Sequence, residues 1–361
     1  MNKDAEHNTD QNVESSSSRS QARMPAEWLP HDAIWLSWPH NRDTWPTRLA
    51  EAREEFINLA RTISDVTPVR ILGGGGIETS VASDVFASDS NIEVVDIKTN
   101  DAWIRDYGPT FVHTESGAVA VVGWRYNAWG GKYPPFDDDQ QVARSIAMHL
   151  DLSFELADLC FEGGGLEISR DGILLCTTSC ALDENRNPGM EIETIETLFA
   201  EYLGATSIVW LPGEGIEGDD TDGHIDQLAR FVDNTTLVYA WTADETDPQH
   251  SPLARNLADL RTGLNSVGDS FRLVPLPLPA KPVTLDGARL PASYCNFLIT
   301  NGLVVVPQFG DENDSLAVET LATLLPDHKV SGLPSLNLSA GLGSFHCLSQ
   351  QQPAAKRQTI K

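Results

Sequence analysis

Five side chains in this sequence are of types that do chemistry together, although they are spread over most of its length. Near the C-terminus, GLGSFHCLSQQQP (341–353) sets Cys347 in a Gly/Ser-rich turn, after His346 and before three glutamines. Small residues ahead of a thiol let a substrate come close to the backbone, and a thiol so placed is a candidate nucleophile. TDGHIDQLARFV (221–232) carries His224 and Asp226. FEGGGLEI (161–168) puts Glu162 before three glycines. NDAWIRDYGPTFV (100–112) holds Asp106 ahead of Gly-Pro, with Trp103 three residues earlier. Each also has a structural reading when taken alone. Free cysteine is among the most buried residue types. Asp106 suits a pair with Arg105 or a turn cap, Glu162 suits the amides of its glycine loop, and histidines are often satisfied in cores.

As a set they are more specific. A thiol, an imidazole and three carboxylates suit attack on a planar cation. Carboxylates bind a guanidinium bidentately and fix its plane. A cysteine presented to the face of that plane can add to the central carbon. An imidazole can protonate the departing nitrogen and then activate water.

These residues need short elements that end in glycine-rich loops, and the chain offers many. The spacing of apolar residues predicts helices over 47–65, 140–150, 190–203, 252–264 and 315–325. Strands are predicted over 68–72, 91–97, 118–124, 173–178, 207–211, 236–241 and 273–278. Residues 297–299 and 303–306 flank Asn301-Gly302, a favoured hairpin turn. If 224–232 is extended, His224 and Asp226 point to the same side. Four glycines at 73–76 are followed by no Lys-Ser/Thr, which rejects a phosphate loop. MPAEWLPHDAIWLSWPHNRDTWP (24–46) holds four tryptophans and four prolines, too many for a linker. Aromatic packing onto a core and the wall of a pocket are equally good readings of it. The helices recur every few strands with no linker between halves, which predicts one α/β domain over 24–355. Residues 1–23 are polar and read as a disordered tail, and 356–361 as a short basic tail.

Composition narrows the partners. A formal net charge of −27 repels nucleic acid and anionic membrane and attracts small cations, although it also serves solubility alone. No apolar run is long enough for a membrane span, and the polar N-terminus is no signal peptide. The five cysteines are odd in number and scattered, which argues against a disulfide framework or a structural zinc site. Reduced thiols predict a cytoplasmic protein.

The motifs quoted above, with MPAEWLPH (24–31), TTSCALDENRNPG (177–189) and ASYCNFLITNGLVVVPQFG (292–310), occur in the order found in agmatine deiminases. The chain resembles that family over residues 24–353. The family sits in the guanidino-group-modifying superfamily, with arginine deiminases and peptidylarginine deiminases. The resemblance implies a five-bladed α/β propeller of ββαβ modules around a central pocket. It implies that Cys347 forms a covalent amidino-cysteine and that His224 is the general acid and base. It also implies that Asp106 and Asp226 clamp the guanidinium, Trp103 flanks it and Glu162 supports the histidine. The implied reaction takes agmatine and water to N-carbamoylputrescine and ammonia, a step toward putrescine, with no metal or organic cofactor. A homo-oligomer such as a dimer is also implied. The chain departs from the family pattern at Leu29, where EWEPH is usual, and at Leu342 and Ser344, where GGGN is usual. The alternatives are the same chemistry on free arginine or peptidylarginine, amidinotransfer to an amine, and a non-catalytic guanidine sensor.

Overall fold

The short apolar runs pair into small sheets, and the amphipathic stretches between them pack as helices. The computed structural model describes residues 22–268 and 270–356. Five sheets repeat one connection. A first strand pairs antiparallel with a second, a helix follows, and a third strand returns parallel to the second. Parallel neighbours need such a crossover. In chain order the repeats run Thr110–His113, Val119–Arg125 and Phe154–Cys160, then Glu167–Ile168, Ile173–Thr177 and Ser207–Leu211. Ala229–Phe231, Thr236–Trp241 and Arg272–Pro277 follow, and then Leu298–Thr300, Leu303–Gln308 and Lys329–Pro334. The remaining sheet joins the two ends of the chain. Its first strand is the C-terminal Ser349–Pro353, antiparallel to His31–Ser37, which lies parallel to Val69–Gly74. Ile92–Lys98 adds an outer strand there. The protein is thus of the mixed α/β class expected from the strand and helix rhythm.

The expected helix over 47–65 is Leu49–Ser64, which buries Leu49, Ala52, Phe56, Leu59, Ala60 and Ile63 on one stripe. The strands at Ser207–Leu211 and Thr236–Trp241 have the expected bounds. Three differences have physical reasons. His31–Ser37 is an inner strand inside the Pro/Trp segment, because the segment's four prolines all fall outside the paired residues. Ile77–Val85 is a helix that buries only Ala82, so it carries almost no apolar stripe. HIDQLARFV is not one strand. Ile225–Gln227 is a 3-10 turn, and only Ala229–Phe231 is paired. Backbone groups at its start bond to loop side chains instead of a ladder: His224 N–H donates to Thr221 Oγ1, and Ser293 Oγ donates to Gln227 O.

Residues 1–21 and 357–361, which hold most of the two expected tails, lie outside the described residues. Arg23 exchanges two backbone hydrogen bonds with His113, and Lys356 N–H donates to Gly117 O.

The short lead-in to each first strand is where the fold brings distant residues together. Residues 104–107 precede Thr110–His113, and 162–165 precede Glu167–Ile168. Residues 224–227 precede Ala229–Phe231, 293–297 precede Leu298–Thr300, and 344–347 precede Ser349–Pro353.

Candidate active site

The lead-ins converge beneath one cavity of about 840 Å³, whose lining includes Trp103, Asp106, Trp129 and Cys347. Cys347 is buried, at 5% exposure, and lines the cavity. Three groups surround that sulfur. Asn296 Nδ2–H donates to Sγ at 3.1 Å, and the thiol donates to Asp226 Oδ2 at 3.5 Å. The third is the Asp106 carboxylate, which acts on the thiol through its charge. Burial pushes the thiol well above its usual range. Asp226 and Asp106 push it further, against the hydrogen bonds from Asn296 and from the Ser344 backbone.

Asp106 sits in the single turn Ile104–Tyr107. Its Oδ2 accepts from Trp129 Nε1 at 3.0 Å and its Oδ1 from Gly164 N–H at 3.0 Å. Gly164 has to be glycine here: a Cβ would lie 2.5 Å from His224 Nδ1 and 2.7 Å from Asp106 Oδ1. Burial, with Asp226 and Glu162 nearby, raises Asp106 to about 6 despite His224. Arg105 does not pair with it. Arg105 Nε donates to His346 O and Nη1 to Gln351 Oε1, while Arg105 N–H donates to Cys347 O. Neighbouring residues 105 and 106 therefore serve different ends: one ties down the cysteine loop and the other faces the cavity.

His224 lies between two carboxylates. Nε2 is 3.3 Å from Glu162 Oε2, and Nδ1 is 3.6 Å from Asp106 Oδ1. Burial opposes its charge, but Asp106, Cys180 and Glu162 outweigh that and hold the imidazole well above its usual range. Glu162 in turn accepts from Arg186 Nε at 2.9 and 3.0 Å and from the Cys180 thiol at 3.5 Å. Burial would raise this carboxyl, yet Arg186 and His224 keep it lowered. Glu162, Cys180 and His224 offer ligand atoms within 4.8 Å of one another. A metal does not fit well, because the Arg186 guanidinium already occupies both Glu162 oxygens, and a second cation there would meet like charge.

Asp226 is held from the far side. Burial alone would raise it, but the His346 hydrogen bond at 2.8 Å lowers it. His346 Nε2 lies 2.9 Å from Glu27 Oε2, so both ring nitrogens face carboxylates. Glu27 and Glu167 both receive hydrogen bonds from Arg230. Asp226 Oδ1 and His224 Nδ1 are buried with no hydrogen-bond partner among the described residues. Such atoms suit a ligand.

The profile of the Porphyromonas-type peptidyl-arginine deiminase family matches residues 23–353. The chain belongs to that family. It is 36% identical over 358 residues to an agmatine deiminase of Stutzerimonas stutzeri (strain A1501), covering 92% of this chain and 95% of the relative. Its fold matches the agmatine deiminase of Enterococcus faecalis with a TM-score of 0.87 and 33% identity, over 93% of this chain and 97% of the other. It also matches a Cys-to-Ser variant of the C. jejuni agmatine deiminase with substrate bound. There the TM-score is 0.84 and the identity 30%, over 93% of this chain and 97% of the other.

Set against the deiminase family pattern, the three departures fall in different places. Leu29 is not among the cavity-lining residues. Ser344 is buried and turns its hydroxyl to Ser335 Oγ at 2.7 Å. Leu342 lines the cavity, and its φ of 73° is left-handed.

All six residues picked from the sequence meet in this one region. Trp103, Asp106 and Cys347 line the cavity, whereas Asp226 and His224 stand one contact behind it and Glu162 stands behind His224. Both readings of the tryptophan-rich segment hold in part. Trp35, Trp38 and Trp45 are buried, the Trp45 ring packs at a tilt against Trp103 with centroids 5.4 Å apart, and the polar residues 40–44 wall the cavity. Sequence reasoning assigned no role to Asn296, Arg186, Glu27 or His346. All four lay inside the blocks that carry the family resemblance, and that was the available signal.

Proposed function

We propose that this protein hydrolyses the guanidinium of agmatine, giving N-carbamoylputrescine and ammonia through a thiol adduct on Cys347. One observation carries the reading: Cys347 lines the cavity with the Asp106 and Asp226 carboxylates about its thiol and His224 beyond. In this reading the carboxylates hold the guanidinium by its N–H groups, in register with the sulfur. The cation neutralises the two charges that keep the thiol protonated, so substrate binding itself favours the thiolate, its proton passing to solvent through the cavity. Sulfur adds to the central carbon, His224 gives a proton to the departing nitrogen, and ammonia leaves. Water, losing a proton to His224, then adds to the same carbon. The C–S bond breaks, its electron pair returns to sulfur, and a ureido group remains.

Agmatine is favoured by the rest of the lining. Asp43, Asp101 and Asp220 add carboxylates that suit a second cationic end. Lys132 is committed to Asp222 Oδ2 and Asp220 O. Arg42 also lines the cavity, and it is the observation that favours free arginine as a second reading, since it can meet a carboxylate. Arg125, by contrast, pairs with Asp158 away from the cavity. The site belongs to one catalytic domain over 24–355.

Ammonia release from agmatine, arginine and a peptidylarginine decides the substrate, and faster turnover of arginine would overturn the agmatine reading. Mass spectrometry of enzyme quenched during turnover should find an added mass on the peptide bearing Cys347. Cys347→Ser should still bind agmatine by calorimetry, with turnover down on the order of 10⁴-fold or more. A variant that keeps turnover would place the nucleophile elsewhere.

A further inference from the structure

Four of the five lead-in segments supply a residue already placed in the proposed site: Asp106, Glu162, His224 with Asp226, and Cys347. The remaining one, residues 293–297 ahead of Leu298–Thr300, supplies Asn296. Asn296 is fully buried, and its side chain is anchored at one end. Oδ1 accepts from His346 N–H at 3.0 Å and from Cys347 N–H at 3.3 Å. Its own carbonyl also accepts from His346 N–H, at 3.2 Å. Two N–H donors converging on one end of the amide identify that end as oxygen. The other end is therefore the NH2, and it points at Cys347 Sγ from 3.1 Å. No rotation of the amide keeps the two backbone bonds and withdraws that donor.

We propose that Asn296 is a catalytic residue, whose amide N–H holds the Cys347 sulfur in place and stabilises it as a thiolate, both before attack and when sulfur leaves the adduct. This rests on Cys347 being the nucleophile, as argued above. The chemistry asks for such a group. The sulfur carries negative charge at both stages while two carboxylates stand nearby, and a preorganised donor in a buried site lowers the energy of charge at the atom it faces. When the C–S bond breaks, the pair returns to sulfur and the donor is already in position.

The experiment uses Asn296→Asp and Asn296→Ala in the full chain. Aspartate keeps an acceptor for the two backbone N–H groups but replaces the donor by an anion. The rate of iodoacetamide alkylation, read at the peptide bearing Cys347, is followed against pH beside agmatine turnover. In Asn296→Asp the alkylation midpoint should move to higher pH by a unit or more, and kcat should fall about 100-fold, the loss typical of an oxyanion-stabilising donor. Asn296→Ala should move both in the same direction. A purely structural role would lower turnover with an unshifted midpoint, and that result would overturn the proposal, as would superimposable wild-type profiles. If neither variant folds, Asn296→Ser carries the same test. Alkylation needs no turnover, so failure of wild-type protein to use agmatine would sink the functional reading and leave this measurement standing.

Discussion

The thiol of Cys347 donates toward Asp226 Oδ2 across 3.5 Å, so the proposed nucleophile bonds to a carboxylate proposed to bind the substrate. In the free protein burial, and then the charges of Asp226 and Asp106, raise the thiol well above its usual range. Two effects of Asp226→Asn then have opposite signs. Removing the charge should speed Cys347 alkylation at pH 8 about tenfold, the size of a one-unit thiol shift. Agmatine turnover should fall about 100-fold or more, because a clamp on the cation is gone. Alkylation and turnover that fall together would show that Asp226 does not restrain the thiol.

Much of this site was legible because Cys347, His224, Asp106 and Glu162 each lie beside glycine and together make a set suited to attack on a guanidinium, although each alone has a structural reading. Their supports were not. Glu27 and His346 are 319 residues apart, and only the meeting of the chain ends in one sheet joins them. The first strands were equally hard to read. Glu167–Ile168 has two residues and Ala229–Phe231 three, too few for alternation to declare itself, whereas Leu298–Thr300 was read through its Asn301-Gly302 turn. Most second and third strands, longer and flanked by amphipathic helices, were read with nearly correct bounds, but His31–Ser37, Phe154–Cys160 and Lys329–Pro334 were not read as strands.

Asp106 should set the acid limb of activity. Burial lifts it to about 6, with Asp226 and Glu162 adding to the lift. Only its ionised form attracts a guanidinium, so kcat/KM for agmatine should fall as pH drops through about 6. A pH profile of kcat/KM from 4.5 to 8 checks this. An acid limb centred near an ordinary aspartate value, below pH 4.5, would contradict it.

Arg186 holds Glu162 with two hydrogen bonds, and both side chains are fully buried. Arg186→Met should destabilise the protein by about 3–5 kcal/mol, because it strands a buried carboxylate. The pH dependence carries the cause. In the wild type Glu162 is lowered, so its stabilisation is full above the unfolded carboxylate range and is lost as pH falls through the folded value. In the variant the unpaired carboxyl is raised by burial, and the folded state gains from protonating it. The deficit in urea unfolding should therefore narrow between pH 7 and pH 5. An equal deficit at both values would mean that packing, not charge, is what Arg186 supplies.

His346 joins Asp226 to Glu27 through its two ring nitrogens. Asparagine reaches about as far as Nδ1, and glutamine about as far as Nε2. His346→Asn should therefore keep a donor on Asp226 and lose Glu27, whereas His346→Gln should do the reverse. KM for agmatine should rise more in the glutamine variant, by about tenfold relative to the asparagine variant, the worth of one charged hydrogen bond. The reverse order would show that Glu27 depends on His346 more than Asp226 does.

Leu342 is where a departure from the family pattern meets both the backbone and the cavity. Its φ of 73° places a branched side chain in the left-handed region, at about 1–2 kcal/mol. The neighbouring loop cannot relax freely, because Gly343 packs against Trp103: a Cβ there would lie 2.4 Å from the ring. Glycine at 342 would remove the strain but give the unfolded chain more freedom, worth about 0.5–1 kcal/mol. Leu342→Gly should thus gain up to about 1 kcal/mol, seen as a higher urea midpoint at unchanged slope. It should also lose apolar contact with the substrate's methylene chain, raising KM for agmatine by roughly fivefold with kcat little changed. If this strain serves the site, stability and affinity move in opposite directions. A variant less stable than the wild type would mean that the Leu342 side chain is held by packing worth more than the strain it causes.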